Sequence, residues 1–252
     1  IDVATLISEK KDEFPGIEIE VNPLRVYPYK EAGAQVLGYV GEAGADDRDA
    51  EGQPYTSASL IGRAGIERQY NQYLEGKNGS RVVEVNASGQ PVRDVGGEPS
   101  VSGKSIRLTL DATLQKAAED AIVEQIRSLA HSGVFPTGAS AIAVDPNSGA
   151  VLAMVSWPSF DPNLFSRGIS SAEWDAIINN VNHPLQNRTI SSMYPPGSLF
   201  KVVTGAAALE SKVTTPDEMI FDSGKHWVVD KRNAQGEAFG WINFYDALEK
   251  SD

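Results

Sequence analysis

The sequence predicts an α+β chain divided into two domains, on three observations. Short apolar runs of strand character alternate with turn residues along most of its length. Helix character is strongest in two stretches, one amphipathic at residues 111–129 and one almost wholly apolar at 198–209. Ahead of both, residues 94–104 are small and polar and form the best linker candidate, although a strand hairpin fits the same stretch. The expected domains are therefore 1–103 and 104–252.

In chain order, residues 1–13 are polar and helix-tolerant, and Phe14-Pro15-Gly16 marks a turn. Ile17-Glu18-Ile19-Glu20-Val21 alternates apolar and acidic residues, as a half-buried strand does. Residues 25–29 continue extended, because a residue before proline avoids the helical region. Residues 35–40 are a short apolar stretch, and the Gly, Asp, Glu and Pro residues of 41–56 predict an exposed loop. Ile66, Tyr70, Tyr73 and Leu74 recur at helical spacing, with Gly76 and Gly79 closing that helix. Strands are expected at 81–86, ending in a turn at Ala87-Ser88-Gly89, and at 105–110. Asp111 is an expected N-cap for a long helix whose stripe is Leu114, Ala118, Ile122, Gln125, Ile126 and Leu129.

Residues 139–145 and 150–156 flank Pro146-Asn147-Ser148-Gly149, a hairpin turn by composition. Both arms are apolar on both faces, so this sheet should be covered on both sides. Ser159-Phe160-Asp161-Pro162-Asn163 reads as a turn, residues 172–179 as a short helix, and residues 242–250 as a helix capped near Asn243 with Asp246 in its first turn.

Composition narrows the chemistry. With 252 residues, 41% hydrophobic and 22% charged, the chain can bury a core. A net charge of −12 argues against a nucleic-acid partner. The absence of cysteine excludes a disulfide framework, a thiol nucleophile and cysteine-ligated zinc. His131, His183 and His226 stand in no metal-ligand spacing and read as ordinary surface or satisfied histidines, and no G-x-S-x-G elbow is present. No metal or cofactor is expected. No apolar run approaches the roughly 20 residues of a membrane span. Ile1 is not a natural start residue, so the chain reads as an excised piece.

The most chemically suggestive stretch is Tyr194-Pro195-Pro196-Gly197-Ser198-Leu199-Phe200-Lys201 and the apolar run behind it. Ser198 and Lys201 are three residues apart and share a helix face. A hydroxyl beside an amine is a nucleophile–base pair in outline. A free lysine titrates at about 10.4, so a lysine base needs desolvation or the positive end of a helix beside it. The surrounding Leu199, Phe200, Val202, Val203, Ala206, Ala207 and Leu209 predict a buried helix. Ser8 and Lys11 make the same S-x-x-K pattern among charged residues with no apolar helix behind it, and read as solvated.

Several pieces taken together are far more specific. Arg25-Val26-Tyr27-Pro28, Gly38-Tyr39-Val40-Gly41, Gly62-Arg63-Ala64-Gly65-Ile66-Glu67 and Leu74-Glu75-Gly76-Lys77-Asn78-Gly79 resemble the non-catalytic domain of class B penicillin-binding proteins. Leu108-Thr109-Leu110-Asp111, the Asp145-Pro146-Asn147-Ser148-Gly149 hairpin, Pro158-Ser159-Phe160-Asp161-Pro162-Asn163, Asn187-Arg188 and the Ser198–Lys201 stretch resemble the start of their transpeptidase domain. The resemblance covers nearly the whole chain in order and looks closest to elongation-type members.

It implies a mixed α+β pedestal, or dimerisation-type, domain followed by the first part of a transpeptidase domain with an antiparallel sheet and helices on both faces. It also implies a penicillin-sensitive D,D-transpeptidase that cross-links peptidoglycan stem peptides. Carried over by motif, Ser198 is the nucleophile and Lys201 its base, and the Ser198 N–H forms half of an oxyanion hole. Ser251 matches the first residue of the family's second motif, S-x-N or S-x-D. The third motif, K-T-G or similar, is missing, so residues 1–252 alone are expected to turn over no substrate. The resemblance further implies stem peptides and β-lactams as ligands, and a membrane glycosyltransferase of the SEDS family docked by the first domain. Its location would be the extracytoplasmic face of the bacterial inner membrane, with an anchor upstream of Ile1. A β-lactam-sensing or β-lactam-hydrolysing relative is the alternative enzyme; the Arg25 to Gly79 block counts against it. A non-catalytic scaffold is the alternative of another class.

Overall fold

The computed structural model describes residues 3–10, 13–14, 17, 23–55, 59–87, 91–226, 228–233 and 236–251. By compactness the chain forms two units, Ile1–Ser192 and Met193–Asp252, and each is taken by itself. The expected turn at 14–16 and the strand at 17–21 lie mostly outside the described residues, as do the tip of the 87–89 turn and Lys11.

The first unit opens with helix α1 (Val3–Glu9), on which Ser8 is exposed. The short helix α2 (Ala34–Leu37) runs between Gly33 and Gly38, and strand β1 (Val40–Glu42) follows. It pairs antiparallel with β2 (Leu60–Gly62), Val40 lying opposite Gly62. The helix expected over 66–74 is split at Tyr70 into α3 (Gly65–Gln69) and α4 (Asn71–Leu74). Within α3 Glu67 is buried, accepting hydrogen bonds from Arg25 Nε at 2.6 Å and from the Tyr27 hydroxyl at 3.2 Å. Burial, reinforced by the Glu67 carboxylate, pushes the Tyr27 phenol well above its usual range.

Strand β3 (Ser80–Val85) pairs antiparallel with β4 (Pro91–Glu98), with Ser80 opposite Glu98. The polar stretch at 94–98 is therefore strand, the hairpin alternative and not the linker. Arg81 bonds Asp94 and Arg93 bonds Glu84 across the ladder, so the small polar residues complete a solvated hairpin. Residues 105–110 form no strand. Within the stretch Thr109 Oγ1 donates to the Val151 carbonyl at 2.6 Å, and just after it the Asp111 N–H donates to the Leu152 carbonyl at 2.8 Å.

Helix α5 (Ala112–His131) is capped as expected, the Asp111 carboxylate accepting from the N–H groups of Thr113 and Leu114. Its packed row differs from the expected stripe. Leu114 and Gln125 are exposed, and the row starts at buried Gln115 and continues through Ala118, Ile122, Ile126 and Leu129. Strand β5 (Ala139–Val144) pairs with β6 (Val151–Trp157), Ala139 opposite Trp157. In the connecting turn the Asp145 carboxylate takes the Ser148 hydroxyl and the Asn147 N–H, which hold it below the usual carboxylate range. Strand β6 is covered along its length, but Ser140, Ile142 and Val144 of β5 are exposed. Cover on both faces is thus met only on β6; among the described residues nothing is layered over the alternate row of β5.

Gln115 ties α5 to β6. Its amide nitrogen donates to the Met154 carbonyl at 2.9 Å and to Glu119 at 2.7 Å, and its amide oxygen accepts from the Met154 N–H at 2.8 Å. Gln115→Ala strips both Met154 backbone groups of their partner. The expected cost is about 2–4 kcal/mol from two unsatisfied groups, read as a lowered urea midpoint; an unchanged midpoint would mean that water replaces the amide.

The core of this unit joins chain-distant segments. Ala34, Phe160 and Phe165 are buried together with Tyr39, Leu164, Ile169, Ile177 and Leu185 against them. Tyr39 stacks on Phe165 with ring centroids 3.9 Å apart. Asn163, first residue of helix α6 (Asn163–Ser166), exchanges two 2.9 Å hydrogen bonds with the backbone of Tyr27. Gln35 donates to the carbonyls of Pro158 and Pro184. The Pro158 to Asn163 motif therefore works as a clasp between the early and late parts of the unit. Helix α7 (Ser171–Ile178) carries a Ser170–Glu173 capping box. Helix α8 (Arg188–Ser191) starts at buried Arg188, whose guanidinium donates to the carbonyls of His183 and Asn182.

Candidate functional site

The three candidate residues all lie in the second unit. Pro195 and Pro196 lead into a 3-10 turn at Gly197–Leu199, and helix α9 (Phe200–Glu210) continues it. Gly197 has φ +55, a left-handed conformation that glycine adopts without strain. Pro196 before it already has helical angles, φ −68 and ψ −18, so Gly197 alone departs from them on entry to the turn.

Helix α9 is not buried, contrary to expectation. Leu199 is 80% exposed, Val202 67% and Phe200 55%. Among the described residues only one helix is layered on α9, so most of its apolar circumference meets solvent. Periodicity reports what a helix is composed to bury, not what is packed against it.

That covering helix is α10 (Phe244–Lys250), reached through the hairpin of β7 (Ile220–Asp222) and β8 (Gly240–Ile242), in which Ile220 lies opposite Ile242. Asp222 gathers the connecting loop, accepting from the N–H groups of Phe239 and Gly224, which hold its carboxyl below the usual range. Asn243 caps α10 as expected. The Asp246 N–H donates to the Asn243 side-chain oxygen at 2.9 Å, and the Asn243 N–H donates back to the Asp246 carboxylate.

Ser251 closes α10 in the left-handed region, at φ 62 and ψ 37. A non-glycine residue there costs of order 1–3 kcal/mol and persists where its surroundings hold it. The Ser251 N–H is held by the Leu248 carbonyl at 3.3 Å, and Lys201 meets the other end of the residue. Its half-buried amine donates to the Ser251 carbonyl and lies 3.2 Å from the Ser251 hydroxyl. The site thus brings together two of the three expected residues, 50 positions apart in the chain. Ser198 stands exposed one turn before Lys201, and among the described residues no hydrogen bond joins it to Lys201 or Ser251. Such a hydroxyl is open to an incoming electrophile, and hydrogen bonds to a catalytic base commonly tighten only once substrate is present.

The sequence contains no Lys-Thr-Gly. His131-Ser132-Gly133 is the nearest triplet in type, and it ends helix α5 with the His131 ring on the Arg127 carbonyl, not on a strand edge. Among the described residues no group of three His, Asp or Glu side chains could hold a metal ion. None of the described helices is long and apolar enough to cross a membrane.

Residues 2–108 match the penicillin-binding protein dimerisation domain, and residues 139–252 match the penicillin-binding protein transpeptidase domain. The chain belongs to the class B penicillin-binding proteins. It is 38% identical, over 94% of its length, to the peptidoglycan D,D-transpeptidase MrdA of Escherichia coli (strain K12), and covers 37% of that protein. With the MrdA of Haemophilus influenzae it shares 37% identity over 86% of the chain and 32% of the relative. Among solved structures, the complex between PBP2 and MreC from Helicobacter pylori aligns over all of this chain and 45% of its own, at 30% identity and a TM-score of 0.79. Pseudomonas aeruginosa PBP2 in complex with WCK 5153 aligns over 92% of this chain and 46% of its own, at 32% identity and a TM-score of 0.68. The chain thus spans roughly a third to under half of the length of the relatives it resembles, and these relatives are of the elongation type. The α+β architecture agrees with the expected fold.

Proposed function

We propose that this chain supplies the nucleophile half of a D,D-transpeptidase that cross-links peptidoglycan during cell-wall elongation. The observation that supports it best is the meeting of Lys201 with Ser251, one helical turn from an exposed Ser198. In this reading Ser198 Oγ attacks the carbonyl of the penultimate residue of a stem peptide while Lys201, as the free amine, accepts the hydroxyl proton. Collapse of the tetrahedral adduct breaks the peptide bond, and the departing amine of the terminal D-alanine takes a proton relayed by Lys201 and the Ser251 hydroxyl. The acyl-enzyme is then attacked by an amine of a second stem peptide, which regenerates the Ser198 hydroxyl. A β-lactam enters as an analogue of the acyl donor and remains on Ser198. The Ser198 N–H, at the head of a helical segment, is one donor for the developing oxyanion.

Residues 1–103 form the pedestal in this proposal and 104–252 the start of the catalytic domain, working at the extracytoplasmic face of the membrane. A membrane glycosyltransferase of the SEDS family is the proposed partner of the first domain. A related structure described as a peptidoglycan synthase complex coordinating polymerisation and crosslinking, with a TM-score of 0.75 and 32% identity, makes that partner class reasonable. With no Lys-Thr-Gly strand of their own, residues 1–252 are expected to be inactive in isolation. The test is release of D-alanine from a pentapeptide stem by the full-length protein, followed by enzymatic detection of the free amino acid. Release that stops on pre-treatment with penicillin is the expected result. No release, with an acceptor amine present, would contradict the proposal.

A further inference from the structure

We propose that Gly205 and Phe244 are positioning residues that set the separation of Lys201 from Ser251. The inference rests on the functional reading above. Lys201 and Gly205 are four residues apart on α9 and therefore lie on one face, the face over which α10 packs. The Phe244 ring sits directly on the Gly205 backbone. A Cβ placed on Gly205 would fall 2.8 Å from Phe244 Cζ and 3.0 Å from Cε2, inside normal carbon contact. Glycine weakens a helix interior relative to alanine, so its presence at mid-helix has to be explained by something other than helix formation. Here the missing side chain is what lets α10 approach.

The contact has leverage because the start of α10 is held on every side. Ile242 immediately before it is buried in the β7–β8 hairpin. The Asn243–Asp246 box closes its first turn. The Phe244 N–H donates to the Pro216 carbonyl at 3.3 Å, which ties it to the loop that follows α9. With that end fixed, the direction of a seven-residue helix decides where Ser251 arrives. The Lys201 amine to Ser251 hydroxyl distance of 3.2 Å is already long for a hydrogen bond, so a shift of about 1 Å removes it.

The test uses the full-length protein and stopped-flow acylation by a penicillin, which separates the non-covalent dissociation constant from the first-order acylation rate. Gly205→Leu is expected to slow acylation about 10- to 100-fold, with the dissociation constant essentially unchanged. Gly205→Ala should behave nearly as wild type, because the tip of the phenylalanine ring can sidestep one methyl group. Adding Phe244→Ala to Gly205→Leu should return the rate to that of Phe244→Ala alone. Because removing the ring would relieve a folding defect as well, each rate is normalised to folded protein and read beside the melting temperature of the same variant. If Gly205→Leu does not fold, Phe244→Trp enlarges the same contact from the other helix and should slow acylation in the same way. A wild-type rate in Gly205→Leu or Phe244→Trp, or a loss that Phe244→Ala leaves unrescued, would overturn the positioning role. Ser198→Ala runs beside these variants: acylation of Ser198→Ala would overturn the functional reading itself, whereas its silence leaves the helix contact as the only matter under test.

Discussion

Ser198→Ala in the full-length protein is expected to reduce covalent labelling by a fluorescent penicillin to background, a loss of at least about 10³-fold in acylation rate. Alanine keeps the 3-10 turn, because Ser198 is exposed and among the described residues its hydroxyl holds no partner. The melting temperature should therefore stay where it is while the chemistry disappears. Lys201→Ala should fall by about 10²- to 10⁴-fold, the range for removing a positioned acid–base group. Lys201→Arg should not restore activity, since a guanidinium keeps its proton and cannot act as a base. A Lys201→Arg protein that acylates at the wild-type rate would show that the amine only supplies charge. Gel fluorescence against time, normalised to folded protein, reads all three variants.

Gly38→Ala and Gly62→Ala are expected to cost about 3 kcal/mol or more each, enough to unfold much of a marginally stable domain. A Cβ on Gly38 would lie 1.9 Å from the Ala64 carbonyl oxygen, and one on Gly62 2.0 Å from the Glu67 carbonyl oxygen. Both obstacles are backbone atoms and cannot rotate away, so relief requires the β1–β2 ladder and α3 to part. Gly38 also sits at φ +79, where any side chain is strained. The Gly38-Tyr39-Val40-Gly41 and Gly62-Arg63-Ala64-Gly65 motifs are thus two halves of one close backbone crossing. Thermal unfolding followed by circular dichroism measures the loss; Gly52→Ala, in open space, is the matched control and should cost far less.

What could be read from the sequence follows from how local each feature is. Caps and turns depend on neighbours within four residues, so Asp111, Asn243 with Asp246, and the Asp145 to Gly149 turn were all legible. The candidate serine and lysine were legible for the same reason. Features that depend on distant partners were not. Residues 105–110 have strand composition but find few hydrogen-bond partners, and residues 94–98 have linker composition but find β3. Buried Gln115 was missed because a polar residue on a helix reads as surface until Met154 arrives to satisfy it. The apolar face of α9 was legible as a demand for cover, and among the described residues α10 is the helix that packs on it. Gly205 had a signal, a glycine inside an alanine-rich helix, that carried no meaning until Phe244 was seen above it.

The central claim is that Ser198 is the residue acylated, with Lys201 and Ser251 beside it. Its most direct test is peptide mapping of the penicilloyl adduct on the full-length protein. The expected spectrum shows one acyl group, on the peptide that contains Ser198, with no adduct on the peptide that contains Ser8. An adduct on any other residue, or a full adduct formed by Ser198→Ala, would contradict it.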